Sequence, residues 1–111
     1  MFAKKNRLSK TKDIQKAFTR GRGFFYPYFG VKFLTGLPPS RFTVVVSNKI
    51  SKSAVKRNRL KRIIREILRL NVTSLKPGDY MVLVRPAALK ATPAELRQKV
   101  LQGLKIAKLL T

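Results

Sequence analysis

The chain has 111 residues, 44% of them apolar, and carries 26 Lys and Arg against four carboxylates for a formal charge of +22, with no His and no Cys. That length suits one domain over residues 1–111, burying roughly 65% of the surface its unfolded form would expose, and the apolar content excludes a disordered basic tail. Disulfides, thiolate chemistry and imidazole catalysis are excluded outright.

From the N-terminus, Ile14, Ala17 and Phe18 have the i, i+3, i+4 spacing of a buried helical face, which predicts a helix over Thr11–Arg20 stopped by Gly21 and Gly23. The stretch FFYPYFGVKFL is rich in aromatic and β-branched residues and is broken at Pro27, so it predicts short strands at residues 24–26 and 28–34. Gly36, Pro38 and Pro39 make a turn. Residues 41–47 contain the run Thr43, Val44, Val45, Val46, which reads as a central strand covered on both faces. A polar loop leads to Ser53, an expected N-cap for a long helix over residues 54–70 that the segment 71–78 breaks. Residues 79–85 form another apolar strand. Thr92 and Pro93 open a final helix with apolar positions at Leu96, Val100, Leu101, Leu104 and Leu110. The predicted order is αβββαβα, an α+β fold without repeats or linkers.

A charge of +22 exceeds what solubility asks for, and self-repulsion on that scale is relieved by a polyanion. Nucleic acid fits best, because each Lys or Arg placed on a phosphate releases condensed counterions. An anionic membrane is the weaker alternative, since the basic residues are spread along the chain and no stretch reaches about 18 consecutive apolar residues. The opening MFAKKNRLSK is followed by no signal-peptide core, so the cytoplasm is the expected compartment. The carboxylates Asp13, Glu66, Asp79 and Glu95 fall in different predicted elements, so neither a metal cluster nor a catalytic protein residue is expected. If the chain belongs to an enzyme, the reacting groups come from a partner.

On a helical wheel, Leu60, Ile63, Ile64, Ile67 and Leu68 share one apolar stripe, which belongs in the core. Asn58, Arg62, Arg65 and Arg69 face the other way, with Arg59 and Lys61 along the edges. A solvated basic face is the bland reading. Against it, Lys56, Arg57 and Arg59 crowd the first turn, where the macrodipole is already positive, and Lys56 stands where a capping box would have Glu. A bound phosphate would turn each of those costs into a gain.

The segment SNKISKSAVKRNRLKRIIRE resembles the signature of bacterial ribonuclease P proteins, with Arg57, Asn58 and Arg59 as its RNR element, followed by Lys61, Arg62 and Arg65. NRLSKTKDIQKAF, RFTVVVSNK and DYMVLVRP resemble the family's other segments in the same order, so the likeness spans nearly the whole chain. It implies an α/β sandwich like one domain of certain ribosomal proteins, with a parallel crossover of the rare left-handed kind. It also implies an RNA-binding subunit of an endoribonuclease; the missing His and scattered carboxylates predict that the protein alone is inactive, and no protein partner is expected. In that family the RNR helix docks on a catalytic RNA, here through Arg57, Asn58, Arg59, Lys61, Arg62 and Arg65. A cleft between the first helix and the sheet holds the single-stranded 5′ leader of precursor tRNA. The RNA and its Mg²⁺ ions cleave the leader. Family aromatic positions here hold Ile14 and Lys32, which predicts weaker stacking and leader contacts resting on Phe18, Lys32 and Ile14. The rival readings are a structural ribosomal protein, a major-groove DNA-binding helix, for which no helix-turn-helix spacing is present, and a self-sufficient nuclease.

Overall fold

Side chains alternate between the two faces of a strand, so the apolar pattern and the strand register together decide which residues meet the core. In the computed structural model, which describes residues 2–110, strands β1 (Arg22–Phe25), β2 (Phe29–Thr35), β3 (Arg41–Val45) and β4 (Gly78–Val84) form one mixed sheet in the order β1-β2-β4-β3. β1–β2 and β2–β4 are antiparallel, whereas β3–β4 is parallel. Parallel neighbours need a crossover, and helix α2 (Ala54–Leu70) supplies it. Helix α1 (Thr11–Arg20) precedes the sheet and α3 (Pro93–Ile106) follows it.

One face of the sheet presents Phe29, Val31, Phe33, Phe42, Val44, Tyr80, Val82 and Val84, which share a single buried cluster with Leu60, Ile64, Ile67 and Leu68 of α2 and Leu96, Val100 and Leu104 of α3. An aromatic ladder crosses this core. Phe2 stacks on Phe42 at 4.9 Å between centroids, Phe42 on Tyr80 at 5.0 Å, and Tyr80 tilts onto Phe33 at 4.8 Å. The Tyr80 hydroxyl donates to the Lys76 carbonyl, which satisfies its buried polar end, and burial pushes its pKa well above the usual phenol range. The N-terminal segment covers the outer edge of β3, where the Leu8 amide donates to the Phe42 carbonyl at 2.9 Å.

The opposite face carries α1. Register places Gly23, Lys32, Met81 and Thr43 in one row across the four strands, with Phe25, Gly30, Leu83 and Val45 in the next. Ala17 is the one fully buried residue of α1, and Phe18 is 49% exposed, so the predicted buried face of this helix is narrower than its spacing implies. Packing on a sheet that already has its core on the other side leaves only Ala17 of α1 fully covered, with Asp13 and Ile14 partly so.

Three further expectations change. The β-branched run of β3 forms an edge strand, and β4 lies inside the sheet, because the crossover inserts β4 between β2 and β3. β1 starts at Arg22 and ends at Phe25, and the Tyr26 amide donates to the Phe29 carbonyl at 2.8 Å, closing a turn that contains Pro27. Leu110 is not on the last helix. α3 stops at Ile106, Lys108 adopts φ 61°, and the amides of Leu109 and Leu110 donate to the Leu104 carbonyl at 2.9 and 3.3 Å, which returns Leu110 to a bridge with Leu75. Thr92 caps α3 through a full capping box with Glu95.

Candidate nucleic-acid interface

The α2 helix begins as its sequence predicts, with the Ser53 hydroxyl accepting from the Lys56 amide at 3.3 Å and no acid in the first turn. Its apolar stripe is buried at Leu60, Ile64, Ile67 and Leu68 and partly buried at Ile63. Asn58, Arg59 and Arg62 are exposed, and Lys61 is half-buried. Arg57 is also half-buried, because its Nη1 donates to the Ser51 carbonyl at 2.8 Å and braces the preceding loop. Arg69 leaves the cationic rail: its guanidinium donates from two nitrogens to the Glu66 carboxylate, and that hydrogen bond holds Glu66 below the usual carboxylate range and Arg69 above its ordinary value.

The second cationic site lies under α1. Lys32 Nζ sits 5.3 Å from the Phe18 ring centroid and 5.9 Å from that of Phe25, within cation–π reach of both. Both rings remain open, with Phe18 49% and Phe25 57% exposed. Phe25 lies over Gly30, its cross-strand partner, where a Cβ would come within 2.6 Å of the ring. Glycine therefore makes the space that the ring occupies. Among the described residues no carboxylate pairs with Lys32, so its ammonium can meet a phosphate. An open groove of about 860 Å³ runs along α1 past Lys12, Ile14, Lys16, Phe18 and Met81. Ile14 also lines an adjoining groove whose walls include Arg7, Thr43 and Arg65, so the two expected surfaces meet at Ile14 and Arg65.

The carboxylates are engaged elsewhere. Arg41 Nε and Nη2 donate to Asp79 at 2.8 and 2.7 Å, and Nη1 donates to Asp13 at 3.1 Å. The hydrogen bond to Asp79 chiefly raises the Arg41 pKa, against an opposing effect of burial. Glu66 holds Arg69, and Glu95 closes the capping box. No three His, Cys, Asp or Glu side chains converge among the described residues. Nor is any helix among them long and apolar enough to cross a membrane.

Phe25 and Arg41 are the residues of this surface that the sequence did not single out. A correct hairpin register would have put Phe25 on the Lys32 face, whereas nothing local to Arg41 signals two acids 28 and 38 residues away.

A family model described as Ribonuclease P matches residues 2–108. The chain is 35% identical over 104 residues to the ribonuclease P protein component of Xylella fastidiosa, covering 94% of this chain and 77% of that protein. It is 33% identical over 104 residues to that of Xanthomonas oryzae, covering 94% and 72%. The solved RNase P protein of Staphylococcus aureus superposes with a TM-score of 0.89 at 28% identity, covering 96% of this chain and 98% of that one. The protein from Thermotoga maritima gives 0.80 at 33% identity, covering 90% and 96%. The ribosomal-protein alternative is not favoured. Motif order, fold and these likenesses agree: the chain belongs to the ribonuclease P protein family, the RNA-binding protein component of the ribonuclease P endoribonuclease.

Proposed function

We propose that this single domain, residues 1–111, serves two RNAs in the cytoplasm without a further protein partner. Arg57, Asn58, Arg59, Lys61, Arg62 and Arg65 dock on the catalytic RNA, and Phe18, Lys32, Ile14 and Phe25 hold the 5′ leader of precursor tRNA. The observation that carries the second assignment is the ammonium of Lys32, free of any carboxylate among the described residues and flanked by two half-exposed phenyl rings on the face away from the core. Phosphates would pair with Lys32 while bases stack on the rings, and both contacts accept any sequence.

Cleavage is Mg²⁺-dependent in this reading, with the ions held by the catalytic RNA and the substrate. The protein's carboxylates do not fit a metal site, since Asp13 and Asp79 are bound to Arg41, Glu66 to Arg69 and Glu95 to the α3 cap. The protein therefore contributes binding and charge screening. Free of RNA, it should leave precursor tRNA uncut.

The test uses the reconstituted holoenzyme with Lys32→Ala and two precursors, one with a long leader and one with a single-nucleotide leader. Affinity should fall for the long leader and hold for the short one. Equal losses would place Lys32 outside the leader path.

A further inference from the structure

Helix α1 forms one wall of the cleft, yet it is weakly attached by apolar contact, with Ala17 its one fully buried residue. Its C-terminal end is fixed by close approach to the sheet: a Cβ on Gly21 would lie 3.0 Å from the Phe33 carbonyl oxygen. Its N-terminal half, which carries Lys12, Ile14 and Lys16 along the groove, has no fully buried residue, with Asp13 and Ile14 only partly covered. Arg41 reaches that half from the sheet with a directed hydrogen bond to Asp13.

We propose that Arg41 is a positioning residue for the leader cleft, tethering the first turn of α1 to the sheet through Asp13. The inference rests on the leader-binding reading of that cleft. Asp79 is the register partner of Arg41 on β4, and its two oxygens accept from Nε and Nη2 at 2.8 and 2.7 Å. That fork-to-fork pairing fixes the plane of the guanidinium, so Nη1 is presented to Asp13 in one direction, at 3.1 Å. Only a guanidinium has the donors for this arrangement, because an ammonium is a single point charge on a flexible stem. All three side chains are partly shielded, at 36% exposure for Arg41, 30% for Asp13 and 17% for Asp79, so the tether is less open to salt screening than a fully exposed pair.

Charge argues in the same direction. A chain of +22 has only four carboxylates, and two of them stand on the sheet face and helix that border a groove suited to a polyanion. Unneutralised, they would repel the ligand. Converging on one arginine, they bind the helix wall in place.

Arg41→Ala strips both carboxylates and can unfold the β3–β4 pair, so Asp13 carries the experiment. Asp13→Ala leaves the Arg41–Asp79 fork intact and removes only the link to α1, while Asp13→Asn keeps an oxygen that accepts from Nη1. Each variant is assembled with catalytic RNA and its affinity measured for long-leader and one-nucleotide-leader precursors, with Lys32→Ala run beside them. Amide hydrogen exchange along α1 is followed in the same holoenzymes.

Asp13→Ala should weaken the long-leader precursor roughly 3- to 10-fold, in the lower part of the range for residues coupled through a shared network, with the loss concentrated on that substrate. Exchange should quicken in the N-terminal half of α1, and Asp13→Asn should recover most of both effects. If Lys32→Ala discriminates by leader length while Asp13→Ala lowers both precursors alike or neither, the tether is overturned and the cleft assignment stands. If neither variant discriminates, the leader reading fails and the tether's role fails with it.

Discussion

Truncating Phe18 separates stacking on the leader from support of the fold, because the ring is only half enclosed. Full burial of a Phe side chain contributes about 1.5–3 kcal/mol, and with 49% of Phe18 exposed its truncation should remove ~1 kcal/mol of that. The Lys32 ammonium at 5.3 Å adds about 0.5–1 kcal/mol at an exposed site, and Lys32 keeps a second ring in Phe25 at 5.9 Å. A loss of about 1–2 kcal/mol leaves a domain of ordinary stability folded. Losing a stacked base costs about 1–3 kcal/mol, or roughly 5- to 150-fold in affinity. Phe18→Ala should therefore weaken holoenzyme binding of a long-leader precursor within that range and spare the one-nucleotide leader. Denaturant unfolding of the free protein supplies the control. The reasoning is refuted by equal weakening of both precursors, or by a stability loss above about 3 kcal/mol, which would make Phe18 a core residue.

Lys32→Ala should lower the salt dependence of long-leader binding by about 0.7 in log–log slope, so its penalty at 50 mM salt exceeds that at 200 mM by about 2- to 3-fold; an unchanged slope means that Lys32 meets no phosphate. Arg57→Ala and Arg59→Ala should both weaken assembly with the catalytic RNA, but Arg57→Ala alone should cost stability, ~1 kcal/mol, because the Ser51 carbonyl loses its donor. Identical melting of the two variants contradicts this. Gly78→Ala should destabilise by about 2 kcal/mol or more, since φ is +155° and the new Cβ would lie 2.4 Å from the Leu34 carbonyl oxygen. Chemical denaturation reads it, and a change under ~0.5 kcal/mol would show that the turn relaxes freely.

What was legible in the sequence was what local periodicity encodes. α2 runs over the residues its apolar stripe predicts, and Ser53 caps it, because both signals lie within a few residues of the feature they specify. Sheet order is not encoded that way. The run Thr43 to Val46 reads as covered on both faces, yet β3 ends at the edge because the crossover places β4 inside. Leu110 continues the helical spacing of α3 but lies beyond the reversal at Lys108, a residue type that seldom signals a left-handed φ. Arg41 joins Asp13 and Asp79 across 28 and 38 residues, and a separation of that size leaves no local trace.

The aromatic surface of the cleft follows from the same distinction between local and register-dependent information. The resemblance to the family implies aromatic positions at Ile14 and Lys32, and on that ground the sequence predicts a cleft poor in stacking. The β1–β2 hairpin changes the outcome: Phe25 is brought opposite Gly30, one row from Lys32, so a ring is supplied from β1 where the lysine occupies β2. Phe18 approaches the same ammonium from α1. A cation with phenyl faces on two sides favours an open arrangement over collapse of one ring onto the other, and both rings stay half-exposed. Rings held apart in this way need little ordering before a base can stack, which reduces the entropic cost of capturing a flexible strand. Lys32 on β2 thus holds the open faces of Phe18 and Phe25 on either side of one ammonium.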